Sequence, residues 1–179
     1  MRALRDGVER RSGGVSRKWK IVVAWVAAIV IVDQLTKAIV DRTMPLHHSI
    51  PIIEEFLNLT YIRNTGAAFG MFAGSHEVFR RPFLIAVSII AIGFILVMLR
   101  RLREDATGLV SALAFILGGA IGNLIDRIFY GEVIDFVDVY WSNYHWPAFN
   151  VADSFITIGV TITLFYLIKA KGDDPFAAN

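Results

Sequence analysis

Four long apolar segments constrain this chain more than any other feature of its sequence. They span about residues 19–40, 82–99, 107–125 and 151–168. A helix of about 20 mainly apolar residues crosses the hydrocarbon core of a bilayer. Because lipid cannot hydrogen-bond open backbone groups, segments of this length are predicted to be helices. The sequence therefore predicts an integral membrane protein that is mainly α-helical, with four transmembrane helices.

Composition fits a membrane protein and excludes several other classes. Hydrophobic residues make up 55% of the 179 residues and charged residues 19%, whereas a soluble domain carries about 25% charged residues. The length suits one domain, so we expect residues 1–179 to form a single membrane-embedded unit. Cysteine is absent, which excludes disulfide scaffolds, thiolate metal sites and cysteine nucleophiles. Because the basic residues lie in blocks between apolar segments, we expect no nucleic-acid partner.

The first apolar segment has a second interpretation, as a cleaved signal peptide. A basic cluster would precede an apolar core at residues 21–32, and that cluster is Arg17, Lys18 and Lys20. The helical pattern continues through Asp33 without a convincing cleavage site, and three more spans follow. We therefore favour a first transmembrane helix.

The distribution of basic residues predicts the orientation, because cytoplasmic segments are enriched in lysine and arginine. Twelve lie in the N-terminal region, the link between spans two and three, and the C-terminal tail, whereas five lie in the other two connections. Both termini are thus predicted to be cytoplasmic, with residues 41–81 and 126–150 on the outer side. We expect the basic tail, residues 1–16, to lie against anionic lipid.

The two outer connections carry strand and interface patterns. β-Branched and aromatic residues are frequent in residues 49–72, so one or two short strands are predicted there. Asn64, Thr65 and Gly66 predict a turn. Tyrosine and tryptophan cluster in residues 140–146, a composition that favours the membrane–water interface.

Ionisable side chains inside membrane spans are costly and are therefore candidates for function. Asp33 and Lys37 are four residues apart on one face of the first span, where they either neutralise each other or orient other polar groups. Asn123, Asp126 and Arg127 share one face at the end of the third span. They form either a functional cluster or a helix end at which Arg127 pairs with a lipid phosphate or with Asp126.

Four further polar residues flank the outer end of the fourth span. Asp135 and Asp138 lie among apolar neighbours and are either functional acids or solvated loop carboxylates. Asn150 and Asp153 lie at the helix start, where an N-cap asparagine and an acid at N3 form a capping-box-like turn. On spacing alone, the capping interpretation has about the same weight as the functional one.

These polar residues come from five chain segments, but all fall near the same outward membrane face. The group is Asp33, Lys37, Asn64, Asn123, Asp126, Arg127, Asp135, Asn150 and Asp153. No histidine lies in a zinc-binding H-E-x-x-H pattern, and neither a metal nor a cofactor is predicted. A carboxylate pair is the best chemical use of several acids, because two close aspartates share one proton. The ionised member takes a proton from water and the other donates to a carbonyl oxygen, which hydrolyses a peptide bond without a covalent intermediate.

Five short motifs occur in order along residues 19–168. They are D-Q-L-T-K at 33–37, N-T-G-A-A-F at 64–69, G-G-A-I-G-N-L-I-D-R at 118–127, V-I-D-F at 133–136 and F-N-V-A-D-S at 149–154. One motif alone is weak, but the five together, among four spans, resemble the signal peptidase II family of lipoprotein signal peptidases. The basic tail is not part of that family pattern.

The resemblance implies an aspartic endopeptidase of the bacterial inner membrane, which removes signal peptides from prolipoproteins by cutting before a diacylglyceryl-modified cysteine. Asp135 and Asp153 take the place of the catalytic pair. Supporting or substrate-contacting positions are Asp33, Lys37, Asn64, Gly66, Asn123, Asp126, Arg127 and Asn150.

The resemblance also implies how the parts outside the membrane are arranged. Residues 49–72 would form a β-rich periplasmic cradle and residues 129–149 a periplasmic helix or flap over the site. The active site would lie near the periplasmic face. The expected partners are lipid-modified prolipoproteins and membrane phospholipid, and we expect a monomer.

Two other classes remain open on the residues alone. A small proton- or ion-coupled transporter would use the intramembrane acidic and basic residues as a relay. A four-helix scaffold would leave the shared depth of the acids unexplained. Incubation of the purified protein with a lipidated prolipoprotein separates a peptidase from a transporter.

Overall fold

Four long helices account for most of the protein. The computed structural model describes residues 15–66 and 77–169. The helices are α1 Arg17–Thr43, α2 Glu77–Arg101, α3 Thr107–Phe129 and α4 Val151–Lys169. All four are long and apolar enough to cross a membrane, which confirms the four predicted spans. Most of the basic tail, the C-terminal residues 170–179 and positions 67–69 of the second motif lie outside the described residues.

Helix α2 begins five residues before the predicted start of its span, so Pro82 lies inside the helix. Proline has no N–H, and it therefore leaves the carbonyl group one turn earlier without its helical partner. That carbonyl belongs to Val78, a residue that is 90% exposed. Solvent at the helix end can satisfy such a group, which is why a proline is tolerated here.

Helix α3 is the central helix of the bundle. About half of its span, 56%, is buried, against 17–22% for the other three spans, and it packs against α1, α2 and α4. Gly118 and Gly122 face α1, where an added Cβ would lie 3.0 Å from Ile29 and 2.6 Å from Asp33. These glycines, four residues apart, allow close packing of the two helices.

A four-stranded antiparallel sheet lies at the end of the bundle where α1 and α3 terminate. Its strands are β1 Ser49–Ile53, β2 Leu57–Asn64, β3 Val133–Trp141 and β4 Tyr144–His145, in the order β1-β2-β3-β4. One or two strands were predicted within residues 49–72, and two are present. Strand β3 follows α3 and pairs with β2, with Asn64 opposite Val133 and Ile62 opposite Asp135.

Residues 129–149 were expected to form a helix or a flap, and the helix alternative is wrong. Those residues form β3, a turn and β4. The run Val133–Trp141 is rich in β-branched and aromatic residues, which favour strands, and it finds backbone partners along β2.

A buried lysine links two chain segments at the opposite end of the bundle. Lys18, 5% exposed, donates from Nζ to the Leu102 carbonyl over 2.8 Å and lies 3.6 Å from the Glu104 carboxylate. The start of α1 is thereby joined to the link between α2 and α3. The polar groups of the candidate site lie at the other end.

Candidate active site

A cavity of about 520 Å³ lies where the sheet meets the ends of α3 and α4. Its lining residues are Asn64, Asn123, Arg127, Val133, Asp135, Trp146, Pro147, Ala148, Phe149, Asp153, Ser154, Ile156, Thr157 and Ile158. The polar residues gather at the end of the bundle, and the α4 residues extend the wall along the membrane-spanning helix. Five of the residues predicted from the sequence contribute to this lining: Asn64, Asn123, Arg127, Asp135 and Asp153.

Asp135 is held on β3 by two asparagine side chains. The residue is 2% exposed. Its Oδ1 accepts a hydrogen bond from Asn150 Nδ2 over 2.7 Å, and its Oδ2 accepts one from Asn64 Nδ2 over 3.0 Å. The Gly66 N–H donates to Asn64 Oδ1 over 2.9 Å, so the turn predicted at residues 64–66 fixes the Asn64 amide with its donor toward Asp135.

Asp153 lies in the first turn of α4 and is held by a capping box. The Asp153 N–H donates to Asn150 Oδ1 over 2.9 Å, and the Asn150 N–H donates to Asp153 Oδ2 over 3.3 Å. The other carboxylate oxygen, Oδ1, accepts a bond from Asn123 Nδ2 over 2.7 Å. The capping interpretation is therefore correct, and it does not compete with a functional one. The cap fixes a carboxylate that faces the cavity.

The two carboxyl groups form an electrostatic pair. Asn150 donates to both of them, from its side-chain Nδ2 to Asp135 and from its backbone N–H to Asp153, and both residues line the cavity. Burial, followed by the negative charge of Asp153, raises the pKa of Asp135 to about 7. Bonds from Asn64 and Asn150 oppose that rise without cancelling it. The buried environment thus favours a proton on Asp135 at a higher pH than an ordinary aspartate would hold one.

A buried cation lies beneath this pair. Lys37, 2% exposed, donates from Nζ to Asp33 Oδ2 over 2.8 Å, to Asp126 Oδ2 over 2.9 Å and to Asn123 Oδ1 over 2.9 Å. Asp33 Oδ1 accepts from the Ala152 N–H over 2.9 Å, directly before Asp153. The two interpretations of Asp33 and Lys37 thus both hold: they form an ion pair, and they orient the groups that contact Asp153.

Gln34 also belongs to this network, although it was not among the residues predicted from the sequence. Its Nε2 donates to Asp126 Oδ1 over 2.9 Å and lies 3.2 Å from both the Gly122 carbonyl and Asp33 Oδ2. Gln34 is a polar residue inside a membrane span and lies within the first motif. That position could have indicated from the sequence that Gln34 belongs to the site.

Arg127 lines the cavity but does not pair with Asp126, whose carboxylate contacts Lys37 and Gln34 instead. Arg127 Nη1 donates to the Asn123 carbonyl over 3.4 Å. Its Nε is buried and, within residues 15–66 and 77–169, has no hydrogen-bond partner. A guanidinium group with an unused donor beside two carboxyl groups is suited to bind a carbonyl or phosphate oxygen of a ligand.

One wall of the cavity was also missed from the sequence. Residues 146–149 run beside β3, where Trp146 N–H donates to the Val139 carbonyl over 2.8 Å and Phe149 N–H donates to the Val137 carbonyl over 3.0 Å. The aromatic composition indicated only an interface position. The wall exists because the chain pairs with the edge of β3, which is a tertiary contact.

Asp138 lies outside the cavity. Although three residues from Asp135, it accepts hydrogen bonds from Asn58 Nδ2 over 2.9 Å and bonds His145 Nδ1 over 2.9 Å. It is 8% exposed. The interpretation of Asp135 and Asp138 as solvated loop carboxylates is therefore wrong for both, but only Asp135 faces Asp153.

Comparisons with known proteins agree on one family. A family model described as signal peptidase (SPase) II matches residues 25–169. The lipoprotein signal peptidase of Geobacter sulfurreducens is 50% identical over 153 residues, which cover 86% of this chain and 94% of that protein. The lipoprotein signal peptidase of Syntrophus aciditrophicus is 50% identical over 143 residues, 80% of this chain and 89% of that protein.

A solved structure of a bacterial membrane enzyme has the same fold. It superposes with a TM-score of 0.76 and is 33% identical, and the match covers 87% of this chain and 93% of that one. The four helices and the small sheet are thus shared with an experimentally determined membrane enzyme.

Proposed function

The chain belongs to the signal peptidase II family, and from that premise we propose that Asp135 and Asp153 are the catalytic pair with which it removes signal peptides from prolipoproteins. It is an aspartic endopeptidase of the bacterial inner membrane, and it cuts before the lipid-modified cysteine. The observation that supports the assignment of the pair is the position of two carboxyl groups, both hydrogen-bonded by Asn150, on the wall of one cavity. A transporter function is set aside because the family is a peptidase family.

The one-proton state of the pair supplies both an acid and a base. Asp153 is the ionised member and takes a proton from water as the water oxygen attacks the scissile carbonyl carbon. Asp135 donates its proton to the carbonyl oxygen, so a neutral tetrahedral diol forms. The diol then collapses as its C–N bond breaks. Asp153 gives its proton to the leaving nitrogen, and a diol hydroxyl gives its proton to Asp135, so the two carboxyl groups return to the one-proton state.

The surrounding residues hold this geometry without reacting. Asn64 and Asn150 fix the plane of the Asp135 carboxyl group, and Asn123 fixes that of Asp153. Lys37 compensates the buried charges of Asp33 and Asp126. Arg127 offers its unused donor to a substrate carbonyl or to the phosphate of a neighbouring lipid.

The position of the cavity fits a substrate that arrives within the bilayer. Ile156, Thr157 and Ile158 of α4 continue its wall into the membrane-spanning part of the bundle. Tryptophan and tyrosine side chains at the hairpin of β3 and β4 are exposed, with Trp141 at 82% and Tyr144 at 85%, as expected for an interface. We place the site near the periplasmic face of a single-domain monomer, with both termini cytoplasmic and membrane phospholipid around it.

The pair is tested by isosteric substitution. Asp135→Asn and Asp153→Asn should each lower cleavage of a diacylglyceryl-modified prolipoprotein by about 10⁴-fold or more, because asparagine is neither acid nor base. The double variant should be hardly slower than either single one, because the two residues act as a unit. Mass spectrometry of the product measures cleavage, and unlipidated precursor should stay intact.

Asp138→Asn is the matched control, since it removes a buried carboxylate from the same strand but outside the cavity. It should keep most of the activity. A folded Asp153→Asn variant that cleaves normally, or an inactive Asp138→Asn beside an active Asp135→Asn, would show that the pair is wrongly assigned.

A further inference from the structure

Arg81, one turn into α2, reaches across to the end of α3. Its Nε donates to the Arg127 carbonyl over 3.2 Å and its Nη2 donates to the Ile128 carbonyl over 2.8 Å. No motif contains this residue, and its side chain does not line the cavity. It nevertheless bonds the backbone of Arg127, which does.

The two carbonyl groups that Arg81 binds are ones that helix α3 leaves open. The last four carbonyls of a helix have no partner within the helix. In α3, which ends at Phe129, the Asp126 carbonyl is bonded by the Tyr130 N–H. The next two carbonyls are bonded by Arg81. A cation is also the favoured charge at a helix C-terminus.

This end of α3 carries several groups of the site. Asn123, Asp126 and Arg127 lie in its last two turns. The chain then turns at Gly131, whose φ is +78°, and an added Cβ there would lie 3.4 Å from Arg81 Cδ. Strand β3 begins at Val133, two residues before Asp135. The arginine side chain thus lies against the corner that joins the helix bearing Arg127 to the strand bearing Asp135.

We propose that Arg81 is a positioning residue for peptide cleavage, which acts by fixing the α3–β3 corner and, through it, the placement of Arg127 relative to Asp135. The proposal rests on the proposed function of the cavity. Arg81 contacts neither of the two carboxyl groups in the structure. Its planar fork bonds two successive carbonyls, which a lysine ammonium cannot reproduce with the same geometry.

If Arg81 served only as a cap of α3, the expected results would differ. If Arg81 only stabilised α3, its loss would lower the melting temperature and leave the turnover of the folded enzyme unchanged. A positioning role lowers turnover in enzyme that is fully folded, and the loss depends on Arg127. A double-mutant cycle separates the two, because residues that act through one another give non-additive effects.

The experiment uses the full chain in detergent micelles with a lipidated prolipoprotein, under single-turnover conditions and well below the melting temperature. Arg81→Gln should lower the cleavage rate about tenfold with little change in the concentration of enzyme needed for half-maximal rate. Arg81→Lys should recover part of that rate, since it restores the charge and one bond. Arg42→Gln, which removes an exposed charge near the same end of the bundle, should cleave at the wild-type rate.

Arg127→Lys completes the cycle. Introduced into that background, Arg81→Gln should slow cleavage less than twofold. An unchanged rate in folded Arg81→Gln or, if that variant does not fold, in Arg81→Lys would overturn the proposal. So would a full tenfold loss in the Arg127→Lys background. Failure of the catalytic pair itself is seen independently, because Asp135→Asn is tested with Arg81 intact.

Discussion

Asp135 is more favourably buried as a neutral acid than as a carboxylate, and stability should therefore depend on pH. Its pKa of about 7 in the folded protein lies above the ordinary value of 3.8, so between those values the folded state binds more protons than the unfolded state. The contribution of Asp135 to the free energy of unfolding has its full value below about pH 4. It is lost as the pH rises to about 7, by at most about 1.4 kcal/mol per pH unit.

Asp135→Asn removes this dependence. We expect the melting temperature of the variant, relative to wild type, to increase between pH 5 and pH 8, as measured by thermal unfolding in detergent. Glu54→Gln, which removes an exposed carboxylate, should give no such trend. A constant difference for Asp135→Asn across this range would mean that Asp135 has the same charge throughout.

Lys37 is the cation on which the buried acids depend. Lys37→Met leaves Asp33 and Asp126, 0% and 1% exposed, without a counter-ion, and loss of one partner of a buried ion pair costs about 3–5 kcal/mol. Thermal unfolding should show that loss, together with loss of cleavage. Lys20→Met, the same change at an exposed position of α1, is the control and should have wild-type stability.

Residue-level prediction from sequence succeeded where partners are close along the chain. The i, i+4 spacing predicted the bond between Asp33 and Lys37, and the i, i+3 spacing predicted the capping box of Asn150 and Asp153. Gln34 and the wall at residues 146–149 were missed because their partners lie on α3 and β3, which only the folded chain brings near.

At the scale of elements, the contact between α1 and α3 depends on Gly122. In Gly122→Ala, the added Cβ would lie 2.6 Å from Asp33 Oδ2, so either the Asp33 carboxylate or one of the two helices must shift. Overpacking of this kind costs about 1–3 kcal/mol, and displacement of Asp33 should also slow cleavage. Thermal unfolding and turnover of the purified variant measure both effects.

Gly93→Ala is the matched control on α2. Nothing lies within 4 Å of its added Cβ, and alanine is favoured over glycine inside a helix by up to about 1 kcal/mol. Its stability and activity should equal or exceed those of wild type. Equal behaviour of the two variants would argue against tight packing at Gly122.

Element prediction from sequence was reliable for the spans and less so outside the membrane. Apolar length alone predicted all four helices, because the bilayer allows few alternatives. The register between β2 and β3, which places Asn64 near Asp135, joins segments separated by two helices. No local pattern encodes such a pairing, and of the helix or flap expected for residues 129–149 the helix alternative was wrong.

For the whole molecule, the orientation in the membrane is the prediction with the widest consequences. Because the chain has no cysteine, single cysteines report topology cleanly. Asn143→Cys, exposed between β3 and β4, should react with a membrane-impermeant maleimide added to the periplasm. Asp105→Cys, exposed between α2 and α3, should react only after the inner membrane is opened. The reverse pattern would move the site to the cytoplasmic face.

The pairing of Asp33 with Lys37 within one helix has a consequence for how the protein is made. Their bond needs only α1, whereas Asn123, the next partner of Lys37, is synthesised 86 residues later. A charged residue at the centre of an inserting helix costs about 2.5–3.5 kcal/mol, and the local pair lowers that cost before α3 exists. When α3 inserts later, Lys37 is already in the bilayer and can pair with Asp126. The order in which charges enter the membrane follows the order of translation.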